Sequence, residues 1–433
     1  MVTRWLRPTD PLLVQDALWV ALGQVLRIGI QAVYFVLIAR ALGARDYGAY
    51  AGVLALVAIA APFASLGTGN LLIKHVSRDR RRFPQLWGQA LAVTVFTGLL
   101  LLGAVITVGW FWLPSSIPLR LVLVLGASDL IFARFVDIGA QAYQAHDRLP
   151  RTAVLQLLLS PLRLVAAAIL ILETTSPTAL QWGSAYLLSS VAGAALAVTL
   201  VIRDLGRPTL NLRHIGAEWR EGALFAITLS AQSTTNDIDK IMLARLAALE
   251  AAGVYAAAYR VVDMAFLPVG ALLVATYGRF FKHGVRGMRA TAAYGRRLLS
   301  VGAAYSLGAA VGLYFLAPAL PVLLGREYDP AVGAVRLLAV LPLLKAIHYF
   351  GADALTGAGY QGLRTGLLLC VAAINVLLNL WLIPLYSWRG AVAATVIADG
   401  LLAIAIWIAV WYLGRNGDRI GHSREAPSMA EIG

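Results

Sequence analysis

The chain has 433 residues, 60% hydrophobic and 13% charged, with a mean hydropathy of +0.75. Soluble domains run nearer to about 45–50% apolar and about 25% charged, which excludes a water-soluble globule, and apolar runs that are continuous rather than alternating exclude a closed barrel. A net charge of +14 would point to nucleic acid in a soluble protein. Here the basic residues sit in short loops between apolar runs, where Lys and Arg mark the cytoplasmic side, so no nucleic-acid partner is expected.

One crossing takes about 20 residues, and the length accommodates about twelve. The expected class is an all-α integral membrane protein. Its lone cysteine, Cys370, rules out an intrachain disulfide. The opening segment MVTRWLRPTDPLLVQD lacks the apolar region and cleavage site of a signal peptide, so the first membrane helix is expected to target the chain.

Residues 1–14 read as a cytoplasmic arm. The first helix, 16–38, carries Gln24, Arg27, Gln31 and Tyr34 on one face by their spacing of three, four and three. The second, 47–73, contains Pro62 and a Gly67-Thr68-Gly69 break and leads into a dense basic loop, Lys74 and Arg78 to Arg82. The third spans 86–113. The fourth, 119–143, aligns Arg134, Asp137 and Gln141; the fifth, 152–172, aligns Gln156, Ser160 and Arg163 and holds Pro161 as a kink. The sixth, 179–202, closes a first six-helix lobe over 15–202.

Residues 203–221 form a polar linker, read as a cytoplasmic segment with an amphipathic helix on the membrane surface. The second lobe covers 222–414. Its first helix turns polar at Gln232, Asn236, Asp237, Asp239 and Lys240. Charges at membrane depth cost about 2.5–3.5 kcal/mol each and face a protein interior or a wet cavity. The eighth helix, 252–278, holds Arg260, Asp263 and Pro268, and the ninth spans 298–324. The tenth, 331–357, holds Lys345, His348 and Asp353; the eleventh, 365–385, Asn375 and Asn379; the twelfth, 390–413, Asp399. A polar cytoplasmic tail covers 415–433. Basic residues crowd the loops after even-numbered helices, which places both termini in the cytoplasm.

IARALGARDYGAYAG (38–52) aligns without a gap on LARLAALEAAGVYAA (243–257), an offset of 205 residues that pairs Arg40 with Arg245, Gly48 with Gly253 and Tyr50 with Tyr255. Each copy occupies the first two helices of a six-helix half. The halves therefore share orientation, as parallel repeats about an axis along the membrane normal do, with a substrate site between them.

The stretch LIARALGARDYGAYAGVLALVAIAAPFASLGTGNLLIKHVSR (37–78), with DKIMLARLAALEAAGVYAAAYRVVDMAFLPVGALL (239–273), resembles the bacterial polysaccharide and O-antigen flippases of the multidrug/oligosaccharidyl-lipid/polysaccharide exporter (MOP) superfamily. The resemblance implies two six-helix lobes around a V-shaped cavity. It implies movement of an undecaprenyl-diphosphate-linked oligosaccharide from the inner to the outer leaflet of the bacterial inner membrane, with polysaccharide polymerase machinery and membrane lipids as partners. In the lipid II flippase branch, arginines on the first and eighth helices serve the cavity, and Arg27 and Arg260 fall in comparable places.

Arginine suits a diphosphate, because its planar donors match phosphate oxygens bidentately and it stays charged. Arg27, Arg163, Arg134 and Arg260 are the diphosphate candidates, with Lys240 and Lys345 as point charges. Gln24, Gln31, Gln156, Asn236, Asn375 and Asn379 are the glycan candidates. Each charge also has a packing reading: Arg134 with Asp137, and Arg260 with Asp263, are i,i+3 pairs. No Walker A pattern is present, so no nucleotide or other cofactor is expected. The membrane potential assists outward movement of an anion by about 2.3 kcal/mol per charge per 100 mV; antiport of H+ or Na+ through Asp237, Asp239 or Asp353 is the alternative. An ion-coupled small-molecule exporter of the same superfamily is the second reading, and would carry acids and aromatics rather than cations in its cavity. An enzyme acting on polyprenyl-linked sugars would need large outer loops, whereas ETTSPT (173–178) and GREYDP (325–330) are short.

Overall fold

The computed structural model describes residues 11–77, 79–209 and 219–421, with side chains over 26–77, 79–209 and 226–415. Most of the amino-terminal arm, the middle of the 203–221 linker, the end of the tail and the side chain of Gln24 lie outside the described residues.

The chain is helical. The first element, α1 (Pro11–Ala60), is broken at Gly43, whose φ of 69° and ψ of 175° separate the first two predicted helices. Positive φ is cheap only for glycine, which explains why the turn falls there. The second helix is broken again by a 3-10 turn at Ala61–Phe63 with Pro62 inside it, then by Leu66 (φ 43°) and Gly67 (φ 72°), before α2 (Thr68–Val76) resumes. Next come α3 (Phe83–Trp112), then α4 (Leu119–Ala127) and α5 (Ala133–Ala145), joined through a π turn at Ser128–Phe132. The first half ends with α6 (Leu149–Glu173) and α7 (Ala179–Leu205).

The second half begins with α8 (Trp219–Leu246), which runs through the polar stretch without a break, and α9 (Leu249–Gly284). It continues through α10 (Met288–Leu316), short α11 (Leu320–Leu324), α12 (Asp329–Leu338), α13 (Leu341–Gly357), α14 (Gln361–Tyr386) and α15 (Trp388–Gly421). Among the described residues eight helices are long and apolar enough to cross a membrane, or nine when the pair bent by 43° before Leu341 is taken as one span. Dividing the stretch Leu26–Val76 at Gly43, and adding the interrupted α4–α5 and the polar α8, brings the set to the twelve expected segments. Phe96, Phe111, Leu172, Val274 and Phe315 are 70–86% exposed. Such side chains are a liability in water and the required face toward lipid.

Two compact units are resolved, one holding the chain up to Ala256 together with Val322–Tyr328, the other the remainder. In the first, Trp87, Tyr143, Val136, Leu155 and Val201 form a core under α2, α3, α5, α6 and α7. A second aromatic cluster joins Tyr34, Tyr50, Trp182 and Tyr186 at centroid spacings of 5.9–6.4 Å. The Val322–Tyr328 segment docks at the Gly43 break: Tyr328 Oη donates to the Ala39 carbonyl at 2.9 Å, and Glu327 accepts from the Ala44 N–H at 2.9 Å. That carboxylate satisfies an amide which the break leaves without a helical partner.

The repeat has a physical counterpart in this unit. Gly48 packs its Cα against the Leu249 carbonyl, and Gly253 packs against the Ala44 carbonyl, so that a methyl group on either glycine would overlap backbone. Ala44 and Leu249 are themselves 205 residues apart, so the crossing is symmetric under the same offset that aligns the sequences. In the second unit, α13 is buried on most sides among its neighbours, and Trp407 Nε1 of α15 donates to the Ile347 carbonyl at 2.8 Å.

Candidate functional site

One set of polar residues in the first unit comes together from α1, the π turn, α5, α6 and α7. Gln156, Ser160 and Arg163 stand in line on α6, about 10 and 20 Å from its start for Gln156 and Arg163 at 1.5 Å per residue. Gln31 Nε2 of α1 donates to Ser160 Oγ at 3.4 Å, which sets the Arg27–Gln31–Tyr34 face of α1 against this line. Arg27 is half-buried; its Nε–H is fully buried without a hydrogen-bond partner, and it has no ion pair among the described residues.

Arg163 is more enclosed, with its side chain only 13% exposed. Its Nη2 lies 3.3 Å from Asp129 Oδ1 and 3.5 Å from Ser190 Oγ, and its guanidinium carbon sits 3.8 Å from the centre of the Tyr186 ring. Tyr186 Oη donates to Asp129 Oδ2 at 3.2 Å, while Ser128 Oγ lies 3.2 Å from Asp129 and 2.8 Å from Ser190. A cation this deep needs a paired carboxylate and hydrogen bonds to offset its desolvation. Its Nε–H still has no partner among the described residues.

Asp129 occupies the π turn between α4 and α5. Such a turn frees a carbonyl from the regular ladder, and Arg134 Nε donates to the Asp129 carbonyl at 3.2 Å. Arg134 Nη1 also pairs with Asp137 Oδ2 at 3.0 Å, the i,i+3 pair expected from the sequence. Beside that pair lies a cavity of about 200 Å³ lined by Ser65, Arg134, Asp137, Gln141, Gln144 and Gln156, with Ile138 and Ala140. The break in the second helix brings Ser65 to it. Gly69 of α2 leaves space for Gln141, whose carboxamide a methyl group there would overlap.

On α8, Lys240 Nζ donates to the Asn236 carbonyl at 2.9 Å and pairs with Asp237, and the Lys240 amide donates to Asp239 Oδ1 at 2.7 Å. Asp239 also accepts from Tyr255 Oη. These residues form a bonded cluster along one helix and the start of the next. In the second unit Lys345 Nζ bonds Asp263 Oδ1 at 2.8 Å and Tyr259 Oη at 2.9 Å, so Asp263 serves Lys345 as well as standing one turn from Arg260. Asp353 pairs with Arg364 at 3.3 Å, Asn379 Nδ2 donates to the Asn375 carbonyl and Oδ1 at 2.9 and 2.7 Å, and His348 Nε2 lies 3.6 Å from Asp399.

Thus Gln31, Arg134, Gln156 and Arg163 are linked through α6 and the π turn, with Arg27 one helical turn before Gln31 on α1; the α8 residues form a cluster of their own in the same unit, and Arg260, Lys345, Asp353, Asn375 and Asn379 belong to the other unit. The sequence reading did not single out Asp129, Tyr186, Ser190, Ser65 or Gln144. The signal for Asp129 was present: an acid inside the apolar run Leu119–Phe132 must find a cation.

The fold is that of MOP-superfamily transporters. It matches an inward-facing multidrug resistance MATE family transporter of that superfamily with a TM-score of 0.73 at 17% identity, over 93% of this chain and 99% of the other. It matches the lipid II flippase MurJ in an inward closed conformation with a TM-score of 0.74 at 10% identity, over 94% and 93%. A MOP-superfamily transporter from Pyrococcus furiosus aligns with a TM-score of 0.58 at 15% identity, over 93% and 96%. No curated protein matches the sequence significantly. Residues 13–283, more than half of the chain, match the family described as polysaccharide biosynthesis protein, and the chain belongs to that family.

Proposed function

We propose that this protein is a flippase that carries an undecaprenyl-diphosphate-linked oligosaccharide from the inner to the outer leaflet of the bacterial inner membrane by alternating access, for assembly of a surface polysaccharide. The observation that carries the reading is Arg27: a guanidinium inside the first membrane helix, with a buried Nε–H that has no partner and no paired carboxylate among the described residues. Moving an ion from water into low dielectric costs on the order of 20 kcal/mol in the ideal limit, so a diphosphate needs replacement donors at depth. Arg27 has donors to give, and Arg163 adds one more. Membership of a polysaccharide biosynthesis family supports a glycan cargo, and the fold supports two halves that open to alternate sides.

Deletion of the gene followed by mass spectrometry of polyprenyl-linked sugars tests this. Accumulation of a lipid-linked oligosaccharide is expected, reversed by the wild-type gene and not by Arg27→Ala at equal membrane abundance. No accumulation, together with raised sensitivity to small toxic compounds, would reject the flippase in favour of a multidrug exporter. Coupling is tested in proteoliposomes with the potential clamped at zero, with and without H+ and Na+ gradients; flipping is expected to slow when the potential is removed.

A further inference from the structure

We propose that the 200 Å³ cavity of the first unit is a sugar subsite, which holds one pyranose ring of the cargo and excludes its diphosphate. This deepens the flippase reading and rests on it. The chemistry of the lining decides the class of ligand. Arg134 supplies the cavity's positive charge, and Asp137 at 3.0 Å, with its side chain half exposed, offsets it. An anion entering here would meet a carboxylate at the same time as the guanidinium. Three carboxamides and a hydroxyl make up the rest of the polar wall. Carboxamides and hydroxyls both donate and accept, which is what a ring of hydroxyl groups requires and what a phosphate, an acceptor only, does not use.

Size and preorganisation agree. About 200 Å³ is the room of six or seven waters at about 30 Å³ each, enough for a single sugar ring. Gln141 is held from behind by the bare face of Gly69. Arg134 is fixed at two points, by the Asp129 carbonyl and by Asp137. Gln144 and Gln156 stand exposed at the rim. The cavity is thus built by the broken second helix and the π turn of the fourth, two irregularities that otherwise weaken membrane helices.

The test uses full-length protein in lipid nanodiscs and saturation-transfer NMR with the methyl glycosides of glucose, galactose, N-acetylglucosamine and rhamnose, with inorganic diphosphate as competitor. At least one glycoside should show transfer. The signal should be lost in Gln156→Leu and in the rim variant Gln144→Leu, weaken at least fivefold in Gly69→Ala, and persist in excess diphosphate. Thermal midpoints equal to wild type in the two leucine variants establish that the fold is kept; Gln144 is exposed, so its variant remains informative if Gln156→Leu misfolds. Transfer from none of the glycosides, transfer unchanged in folded Gln144→Leu, or displacement by diphosphate would each overturn the subsite. Glycoside binding in a protein whose deletion accumulates no lipid-linked sugar would sink the flippase reading alone. Accumulation without glycoside binding would sink the subsite alone.

Discussion

Asp129 and Arg163 stand 34 residues apart in the chain and 3.3 Å apart in space. Removing one partner of a buried pair leaves an uncompensated charge, at a cost of about 3–5 kcal/mol, whereas replacing both by apolar residues is often neutral. Asp129→Asn is therefore expected to lower the thermal midpoint in detergent sharply, and Asp129→Leu with Arg163→Met to recover most of it. A midpoint unmoved by Asp129→Asn would mean that Arg163 does not depend on its carboxylate. Arg27 should behave in the opposite way. With no ion pair among the described residues to lose, Arg27→Ala should stay within about 0.5 kcal/mol of wild-type stability while transport in proteoliposomes disappears. Arg27→Lys keeps the charge but not the planar fork, and should transport only weakly.

The crossing of α1 and α9 at Gly48 and Gly253 is a contact of backbone on backbone. A methyl group at either position has nowhere to go, because the obstacle is a carbonyl rather than a side chain that can turn aside. Overpacking a core typically costs about 1–3 kcal/mol, and this site should lie at the upper end. Gly48→Ala and Gly253→Ala are each expected to lower the midpoint measurably. The double variant should lower it by less than the sum, since once the helices are pushed apart the second methyl meets less resistance. Additive losses would indicate two unrelated contacts rather than one symmetric crossing.

Across the whole molecule, the distribution of Lys and Arg makes a topological prediction. In a Cys370→Ser background, which removes the lone and exposed thiol, cysteines placed at Ser115 and Ser176 should react in intact cells with a maleimide that cannot cross the inner membrane. Cysteines at Arg81 and Arg286 should react only after permeabilisation. Reversal of that pattern would invert the orientation. The two six-helix lobes, with boundaries at 15–202 and 222–414, are retained as a proposal for the moving bodies.

The segments themselves were readable from the chain alone. An apolar run of about 20 residues has one stable use in a bilayer, as a helix that satisfies its own backbone, so run length largely decides where each crossing lies. The turn between residues 38 and 47, the repeat and the Arg134–Asp137 pair were readable for a related reason: each is set within a few residues, by the end of an apolar run, by self-similarity or by helical spacing. What only the tertiary structure decided is which way each helix turns about its axis. That rotation comes from packing against neighbours far away in sequence. It brought Asp129 to Arg163 and Asp263 to Lys345, set Gly69 behind Gln141, and left Arg27 with a donor unspent.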